Sequence, residues 1–115
     1  MPNIASKVET LNLNTQFRRV YSKGKSCVRS SLVVYARPNG LGFNRLGVTV
    51  SKKVGKAVVR NRAKRRLREV FRKNQASLGT GFDLILVARG RTPYAAFSVL
   101  DSDFTTATKT LGVFQ

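Results

Sequence analysis

The sequence predicts one α+β domain, in which helices pack on a small sheet. Three observations predict it. Apolar residues recur at helical spacing in three segments, the segments between them alternate or run apolar as strands do, and turns rich in Gly or Pro separate the two kinds. With 115 residues, 42% of them hydrophobic, the chain has room for one core. The predicted order is helix, two or three strands, basic helix, strand, helix.

Residues 1–11 show no clear periodicity and are predicted to form a loosely ordered arm before a single domain over residues 12–115. The first helix of that domain is predicted from apolar residues at helical spacing: Leu13, Phe17, Val20 and Tyr21. Asn12 or Asn14 is the candidate N-cap of this helix, and Gly24 is the candidate left-handed cap at its other end. We therefore expect a short amphipathic helix.

Strands are predicted next, in residues 25–37, which are rich in β-branched and aromatic side chains, and in residues 46–50, which alternate. The residues between the two segments are typical of a turn: Pro38, Asn39, Gly40 and Gly42. We expect the strands on either side of this turn to pair as an antiparallel hairpin.

A long helix is predicted over about residues 56–73, with an apolar stripe toward the sheet: Val59, Ala63, Leu67, Val70 and Phe71. Residues 82–89 form a near-continuous apolar run, which predicts a strand buried on both faces. A closing helix is predicted from a further apolar repeat: Phe97, Leu100, Phe104, Ala107 and Leu111. Asp101 and Asp103 are interpreted as caps of that helix rather than as metal ligands.

Positive charge is the unusual feature of the composition. The chain carries 22 Lys and Arg against 5 Asp and Glu, a net charge of +17, and half of the positive charge lies in residues 52–73, where Glu69 is the only acid. A solvated helix normally mixes signs, because i,i+4 ion pairs contribute about 0.2–0.5 kcal/mol each. This segment lacks nearly all such pairs, and its arginines match the geometry of phosphate oxygens. It therefore predicts a polyanionic partner, RNA.

Several functional classes are excluded or disfavoured by missing residue types. The chain has no His and a single cysteine, Cys27, so common zinc sites, an internal disulfide and His-dependent catalysis are excluded. Cys27 is interpreted as a small, half-buried apolar residue. No stretch approaches the roughly 20 apolar residues of a transmembrane helix, and a basic membrane-surface helix would need the apolar face that the core uses. We expect no membrane contact and a cytoplasmic location.

The run from Val48 to Phe71 closely resembles the signature of the bacterial ribonuclease P protein subunit. The match centres on one motif: Arg60, Asn61, Arg62, Lys64, Arg65 and Arg68. It extends to matching positions elsewhere: Phe17, Tyr21, Gly24, residues 81–83 and residues 88–89. The resemblance implies three helices around a four-stranded mixed sheet in the order α-βββ-α-β-α, with a left-handed βαβ crossover, as in the second domain of ribosomal protein S5.

The same resemblance implies a function. A member of this family joins a catalytic RNA in a 1:1 complex, and the complex removes the 5′ leader of precursor tRNA by metal-assisted hydrolysis of a phosphodiester. The RNA supplies the catalytic metal sites, so Mg²⁺ is bound mainly by the RNA. The chain is then the non-catalytic subunit of an endoribonuclease, with no catalytic or metal-binding residue of its own.

Two sets of site residues follow from the resemblance. The residues expected to bind the catalytic RNA are Arg60, Asn61, Arg62, Lys64, Arg65 and Arg68. The residues expected to bind the leader, in a cleft on the neighbouring face, are Phe17, Tyr21, Tyr35, Lys52, Lys53 and Arg89. Without the resemblance, Phe17 is predicted to be a core residue, and the positions of Tyr21 and Tyr35 favour neither core nor surface.

Two other functions are compatible with the residues alone. One is a binding module of another ribonucleoprotein, such as a ribosomal protein, since small basic α+β domains are frequent there. The other is a metal-dependent nuclease that acts without RNA. The N-terminal arm departs from the family pattern, because it carries Lys7 and Glu9 where relatives often carry several basic residues. We expect little RNA contact from it.

Overall fold

The structure is a computed structural model that describes residues 8–115. Its elements are β1 (Val8–Thr10), α1 (Asn14–Lys23), β2 (Lys25–Val28), β3 (Leu32–Pro38), β4 (Asn44–Thr49), α2 (Ala57–Asn74), β5 (Phe82–Ala88) and α3 (Phe97–Thr110). Single turns of 3₁₀-helix lie at Lys52–Val54 and Gln75–Ser77. The predicted α+β class, its three helices and their order along the chain are confirmed. None of the helices in this part of the chain is long and apolar enough to cross a membrane.

Within residues 8–115 the sheet has five strands in the order β1-β4-β5-β3-β2, one more than the four predicted. The additional strand is β1, which pairs in parallel with β4 through Val8 opposite Asn44 and Thr10 opposite Leu46. Leu11, which follows β1, is only 3% exposed. The prediction of a loose arm over residues 1–11 is therefore wrong for residues 8–11, because three residues are too few to show a strand period. Residues 1–7 lie outside the described part.

The antiparallel hairpin predicted between the strands of residues 25–37 and residues 46–50 is also wrong. β5 lies between β3 and β4, pairing antiparallel with β3 and parallel with β4. The reason is hydrophobicity: Leu84, Ile85 and Leu86 are fully buried, and only an inner strand can bury both of its faces. Because β4 and β5 are parallel, α2 joins them as a crossover connection.

Two cores form on the two faces of the sheet. On one face, α2 and α3 bury the larger core: Leu32, Val34, Ala63, Leu67, Val70, Phe71, Leu84, Leu86, Leu100, Phe104 and Ala107. On the other face, α1 buries Leu11, Val20 and Ile85. Successive residues of a strand point to opposite faces, so β5 contributes to both cores. The predicted stripe of α2 is confirmed, except that Val59 is only half-buried.

The ends of α1 differ from the predictions. Neither Asn12 nor Asn14 is the N-cap. Leu13 is, and Gln16 Oε1 accepts hydrogen bonds from the backbone N–H groups of Asn12 and Leu13, both at 3.1 Å. Gly24 has an extended backbone, with φ −83° and ψ 175°, rather than a left-handed one. A Cβ there would lie 2.6 Å from the Val20 carbonyl oxygen and 2.8 Å from that of Ala36. Close packing of α1 on the sheet, not turn geometry, thus favours glycine.

Asp101 and Asp103 lie inside α3, so their predicted capping role is wrong. Asp101 Oδ2 accepts from Lys73 Nζ at 2.6 Å and Oδ1 from Asn74 at 2.7 Å, which ties α3 to the end of α2. Asp103 is buried and accepts from three neighbouring residues of the β2–β3 turn: Arg29, Ser30 and Ser31. Burial opposes ionisation of Asp103, but these donors outweigh it and lower its pKa.

Candidate nucleic-acid interface

Three aromatic side chains meet where α1 packs on the sheet. Phe17 and Tyr21 are one turn apart on α1, with ring centroids separated by 6.5 Å. Tyr35 projects from β3, and its ring is perpendicular to that of Tyr21 at 4.8 Å. We call Phe17, Tyr21 and Tyr35 the aromatic cluster. The structure thus brings together all three aromatic residues that the resemblance assigned to one site.

The aromatic cluster packs on the smaller core, which consists of Leu11, Val20 and Ile85. Phe17 and Tyr35 are half-buried and pack against that core, while Tyr21 is 39% exposed. Gly47 of β4 makes room for Phe17, because a Cβ there would lie 2.7 Å from two carbons of the Phe17 ring. Phe17 and Tyr35 therefore belong partly to the core and partly to the surface. The core position predicted for Phe17 without the resemblance holds only in part, and Tyr35 is the residue whose position favoured neither.

The predicted basic residues of this site follow the carboxyl ends of two parallel strands. The Tyr21 hydroxyl and Thr49 Oγ1, at the end of β4, are 3.0 Å apart. Lys52 and Lys53 are exposed on the 3₁₀ turn just beyond, and Arg89 is exposed directly after β5. Thr49 is in register with Val87, so both strands end at the same side of the sheet. Arg89 is partly engaged, since its Nη1 donates to the Arg29 carbonyl at 2.7 Å.

A buried ion pair on the same sheet face was missed by the sequence analysis. Arg45 donates two hydrogen bonds to Asp83, from Nε at 2.7 Å and from Nη2 at 2.8 Å, and Asn39 donates a third at 2.9 Å. Burial works against the charge of Asp83, but Arg45 and Asn39 outweigh it and hold the pKa of Asp83 below its ordinary range. The charge of Arg45 is balanced by Asp83. Arg45 therefore stabilises the pairing of β4 with β5 and is not available to bind phosphate.

The RNA-docking residues predicted on α2 cover a broad arc of that helix. We call Arg60, Asn61, Arg62, Lys64, Arg65 and Arg68 the basic face. Four of its members are exposed, whereas Arg60 and Lys64 are half-buried. Arg60 Nη1 donates to the Gly55 carbonyl at 2.9 Å. Arg65 faces Glu69 at 3.6 Å, but both side chains are largely exposed, so this pair contributes little and leaves Arg65 available.

Two other cations of α2 are engaged within the protein. Arg66 donates to the carbonyl oxygens of Pro93, at 2.8 Å, and Ala95. Burial, together with the charges of Arg62 and Arg65, lowers the pKa of Arg66. Lys73 is paired with Asp101. The predicted RNA-binding set includes Arg65 and omits Arg66, and the packing of Arg66 against the residues before α3 is the physical difference between the two.

A groove separates the basic face from the edge strand. It encloses about 250 Å³ between α2 and the β1–β4 edge, and its lining includes Arg68 and Arg72 of α2. Arg72 was not among the predicted site residues, although it lies one turn beyond Arg68 on the same side. Glu9 is in register with Arg45 and acts on it electrostatically, so its carboxylate lies on the sheet face opposite α2.

The basic face and the aromatic cluster lie on opposite faces of the sheet, not on neighbouring ones as expected. α2 packs on the face that bears Leu84 and Leu86, and α1 packs on the face that bears Ile85. Strand alternation puts these residues of β5 on different sides. The arrangement gives one small domain two separated surfaces, one cationic and one aromatic with a cationic margin.

Comparison with known proteins gives a consistent result. The sequence model of a family described as Ribonuclease P matches residues 5–112. A ribonuclease P protein component of Thermoanaerobacter sp. (strain X514) is 48% identical over 94 residues, covering 82% of this chain and 81% of the relative. That of Natranaerobius thermophilus is 42% identical over 110 residues and covers 96% of both chains.

Solved structures agree with these matches. The RNase P protein of Staphylococcus aureus superposes with a TM-score of 0.82 at 33% identity, covering 95% of this chain and 100% of that one. The RNase P protein of Thermotoga maritima superposes with a TM-score of 0.76 at 33% identity, covering 85% and 93%. The structural similarity therefore extends over nearly the whole fold.

Proposed function

The chain belongs to the ribonuclease P protein component family, and from that premise we propose that it is the protein subunit of a ribonuclease P, binding the catalytic RNA and the 5′ leader of precursor tRNA. The observation that carries this proposal is the placement of a basic face and an aromatic cluster on opposite faces of one sheet. One chain can then contact two RNAs without competition for one surface. Family membership favours this function over a ribosomal protein.

The basic face is the proposed contact with the catalytic RNA. Asn61, Arg62, Arg65 and Arg68 are exposed, and the one acid nearby, Glu69, is in an exposed and therefore weak pair. Guanidinium groups can bind phosphate oxygens in pairs, and each phosphate neutralised releases counterions, which favours binding. Asn61 adds an amide that can hydrogen-bond a base edge or a phosphate without adding charge.

The aromatic cluster is the proposed contact with the leader. A ring stacks on any base, at about 1–3 kcal/mol per base, so a site of this kind tolerates leaders of different sequence. Lys52, Lys53 and Arg89 lie beyond the strand ends next to Tyr21 and are proposed to bind leader phosphates. The hydrogen bond between Tyr21 and Thr49 fixes the orientation of the exposed ring.

Cleavage itself is assigned to the RNA, with Mg²⁺ bound mainly by the RNA. The buried and half-buried aspartates of the chain serve its folding: Asp83 holds Arg45, Asp101 holds Lys73 and Asp103 holds the β2–β3 turn. The work of the chain is then to position leader and catalytic RNA in a 1:1 complex in the cytoplasm.

Reconstitution tests this function directly. The chain is added to a bacterial ribonuclease P RNA at low magnesium, and cleavage of a precursor tRNA is measured. We expect cleavage to be restored by the mixture and not by the chain alone. Failure of the mixture would contradict the proposal, and cleavage by RNA-free chain would support the metal-dependent nuclease instead.

A further inference from the structure

Tyr94 is a large aromatic side chain left in solvent beside the basic face. It is 66% exposed, in the segment between β5 and α3, and within residues 8–115 its ring stacks on no other aromatic ring. Tyr94 belongs to neither the basic face nor the aromatic cluster. An exposed tyrosine is common on proteins, so its significance depends on what holds it there.

The segment that carries Tyr94 is fixed from both sides. Thr92 is fully buried, donates to the Ser31 carbonyl at 2.6 Å and accepts from the Arg89 N–H at 2.8 Å. Pro93 is buried as well. The backbone N–H groups of Tyr94 and Ala95 both donate to the Arg91 carbonyl, at 3.0 Å and 2.8 Å. The backbone is thus held in one conformation while the ring of Tyr94 faces outward.

Arg66 connects this segment to α2. Its two terminal nitrogens donate to the carbonyls of Pro93 and Ala95, the residues immediately before and after Tyr94. Arg62 is one helical turn before Arg66 and therefore on the same side of α2. The segment that carries Tyr94 is consequently held against the side of α2 that also bears Arg62. An aromatic ring beside guanidinium groups, on a rigid backbone, is the arrangement by which proteins stack on unpaired bases.

We propose that Tyr94 stacks on an unpaired base of the ribonuclease P RNA, and that Arg66 is the positioning residue that holds it for this contact. The inference rests on the proposed docking of α2 on that RNA. It extends the docking surface from phosphate binding by α2 to base binding by a second element. The occupant follows from charge: the surroundings of Tyr94 on α2 are cationic, which suits RNA and opposes a second copy of a chain with net charge +17.

Binding and salt dependence distinguish a stacked base from a phosphate contact. We measure the Kd for the ribonuclease P RNA at several salt concentrations. Tyr94→Ala is expected to weaken binding about 5- to 100-fold with an unchanged salt slope, because no phosphate contact is lost. Tyr94→Phe is expected to bind normally. Arg62→Ala is the neighbouring comparison, and should reduce the slope by about 0.7–0.9.

The role of Arg66 is tested by coupling. Arg66→Met keeps the length of the side chain and removes its donors. It is expected to weaken binding as Tyr94→Ala does, also with an unchanged slope, and the double variant should bind no worse than Tyr94→Ala alone. A reduced slope for Arg66→Met would show that Arg66 binds phosphate itself and overturn its positioning role.

A fluorescent reporter gives a direct readout, since the chain contains no tryptophan. Tyr94→Trp is expected to lose emission when the RNA binds, because a stacked base quenches indole. Leu41→Trp, exposed in the β3–β4 loop, is the control and should keep its emission.

The outcomes separate this inference from the proposed function. If Tyr94→Ala binds the RNA normally while Arg65→Ala with Arg68→Ala does not, Tyr94 stacking is refuted and the docking of α2 stands. If none of these variants affects binding, the docking of α2 is itself refuted. A loss confined to precursor tRNA, or a change only in self-association, would likewise overturn the stacking on the catalytic RNA.

Discussion

The ring of Tyr21 is perpendicular to that of Tyr35, with their centroids 4.8 Å apart, so a residue of α1 and a residue of β3 form one aromatic surface. The Tyr21 hydroxyl is at the same time 3.0 Å from Thr49 of β4. The side chain of Tyr21, on α1, thus contacts two strands, β3 and β4, that are not neighbours in the sheet. Small movements of α1 must change all of these contacts together.

Removal of Tyr21 should affect the leader and not the assembly of the subunits. For Tyr21→Ala we expect the affinity of the complex for precursor tRNA to fall by about 1–3 kcal/mol, the value of one stacked base, with the affinity for mature tRNA unchanged. Titration of both tRNAs against the reconstituted complex measures this. Leu13→Ala, which truncates an exposed residue near the start of α1, is the control. Equal losses for both tRNAs would argue that the cluster is only part of the core.

Removal of charge from α2 should change the salt dependence of RNA binding. For Arg65→Ala with Arg68→Ala we expect weaker binding to the catalytic RNA and a salt slope smaller by one or two units, since each phosphate contact contributes about 0.7–0.9. Lys25→Ala with Lys109→Ala removes the same charge from exposed positions on β2 and α3 and should leave the slope nearly unchanged. Identical slopes for the two double variants would mean that net charge, not the basic face, determines binding.

Gly47 should be sensitive to a single added methyl group. In Gly47→Ala the new Cβ would lie 2.7 Å from the Phe17 ring, so the ring must move. Overpacking of this kind costs about 1–3 kcal/mol, and we expect a lower melting temperature and weaker leader binding. Phe17→Leu provides space, so Gly47→Ala should cost less stability in that background than in the natural chain. Simple additivity of the two changes would contradict the predicted contact.

Acid should destabilise the fold through its buried carboxylates. The pKa of Asp103 is lowered, because hydrogen bonds from Ser31, Ser30 and Arg29 outweigh its burial. A carboxylate with a lowered pKa in the folded state stabilises the fold above its unfolded pKa, about 3.9, and loses that contribution as pH falls through the folded value. We expect the urea midpoint to drop below about pH 4, and Asp103→Asn to lower it at pH 7 and flatten the acid decline. Glu69→Gln, at an exposed position, should leave the curve unchanged.

The sequence predicted the helices better than the sheet. Spacing along one segment is a local property, so Leu67, Val70 and Phe71 identified the buried side of α2 correctly. Strand pairing is not local: nothing in the alternation of β4 indicates that its partner is β5, beyond α2, rather than β3. The same difference explains the missed Arg45–Asp83 pair, whose partners are brought into register only when β4 and β5 pair.

The candidate site shows a similar division. The cationic character of α2 follows from composition. The difference between Arg65, which is exposed, and Arg66, which binds backbone carbonyls, depends on the segment before α3. Tyr35 could be classed neither as core nor as surface because it belongs partly to each, and Phe17, predicted without the resemblance to be core, is also only half-buried. The roles of these residues in binding RNA stay predictions until the variants are measured.

The thickness of the domain has an electrostatic consequence. The described part of the chain measures 36 × 30 × 22 Å, so RNA strands held on its two sheet faces would be separated by no less than roughly the shortest of these lengths. At physiological ionic strength the repulsion between exposed charges decays over about 8 Å. A cationic domain of this size would therefore keep two RNA strands in one complex far enough apart that the repulsion between their phosphates is largely screened.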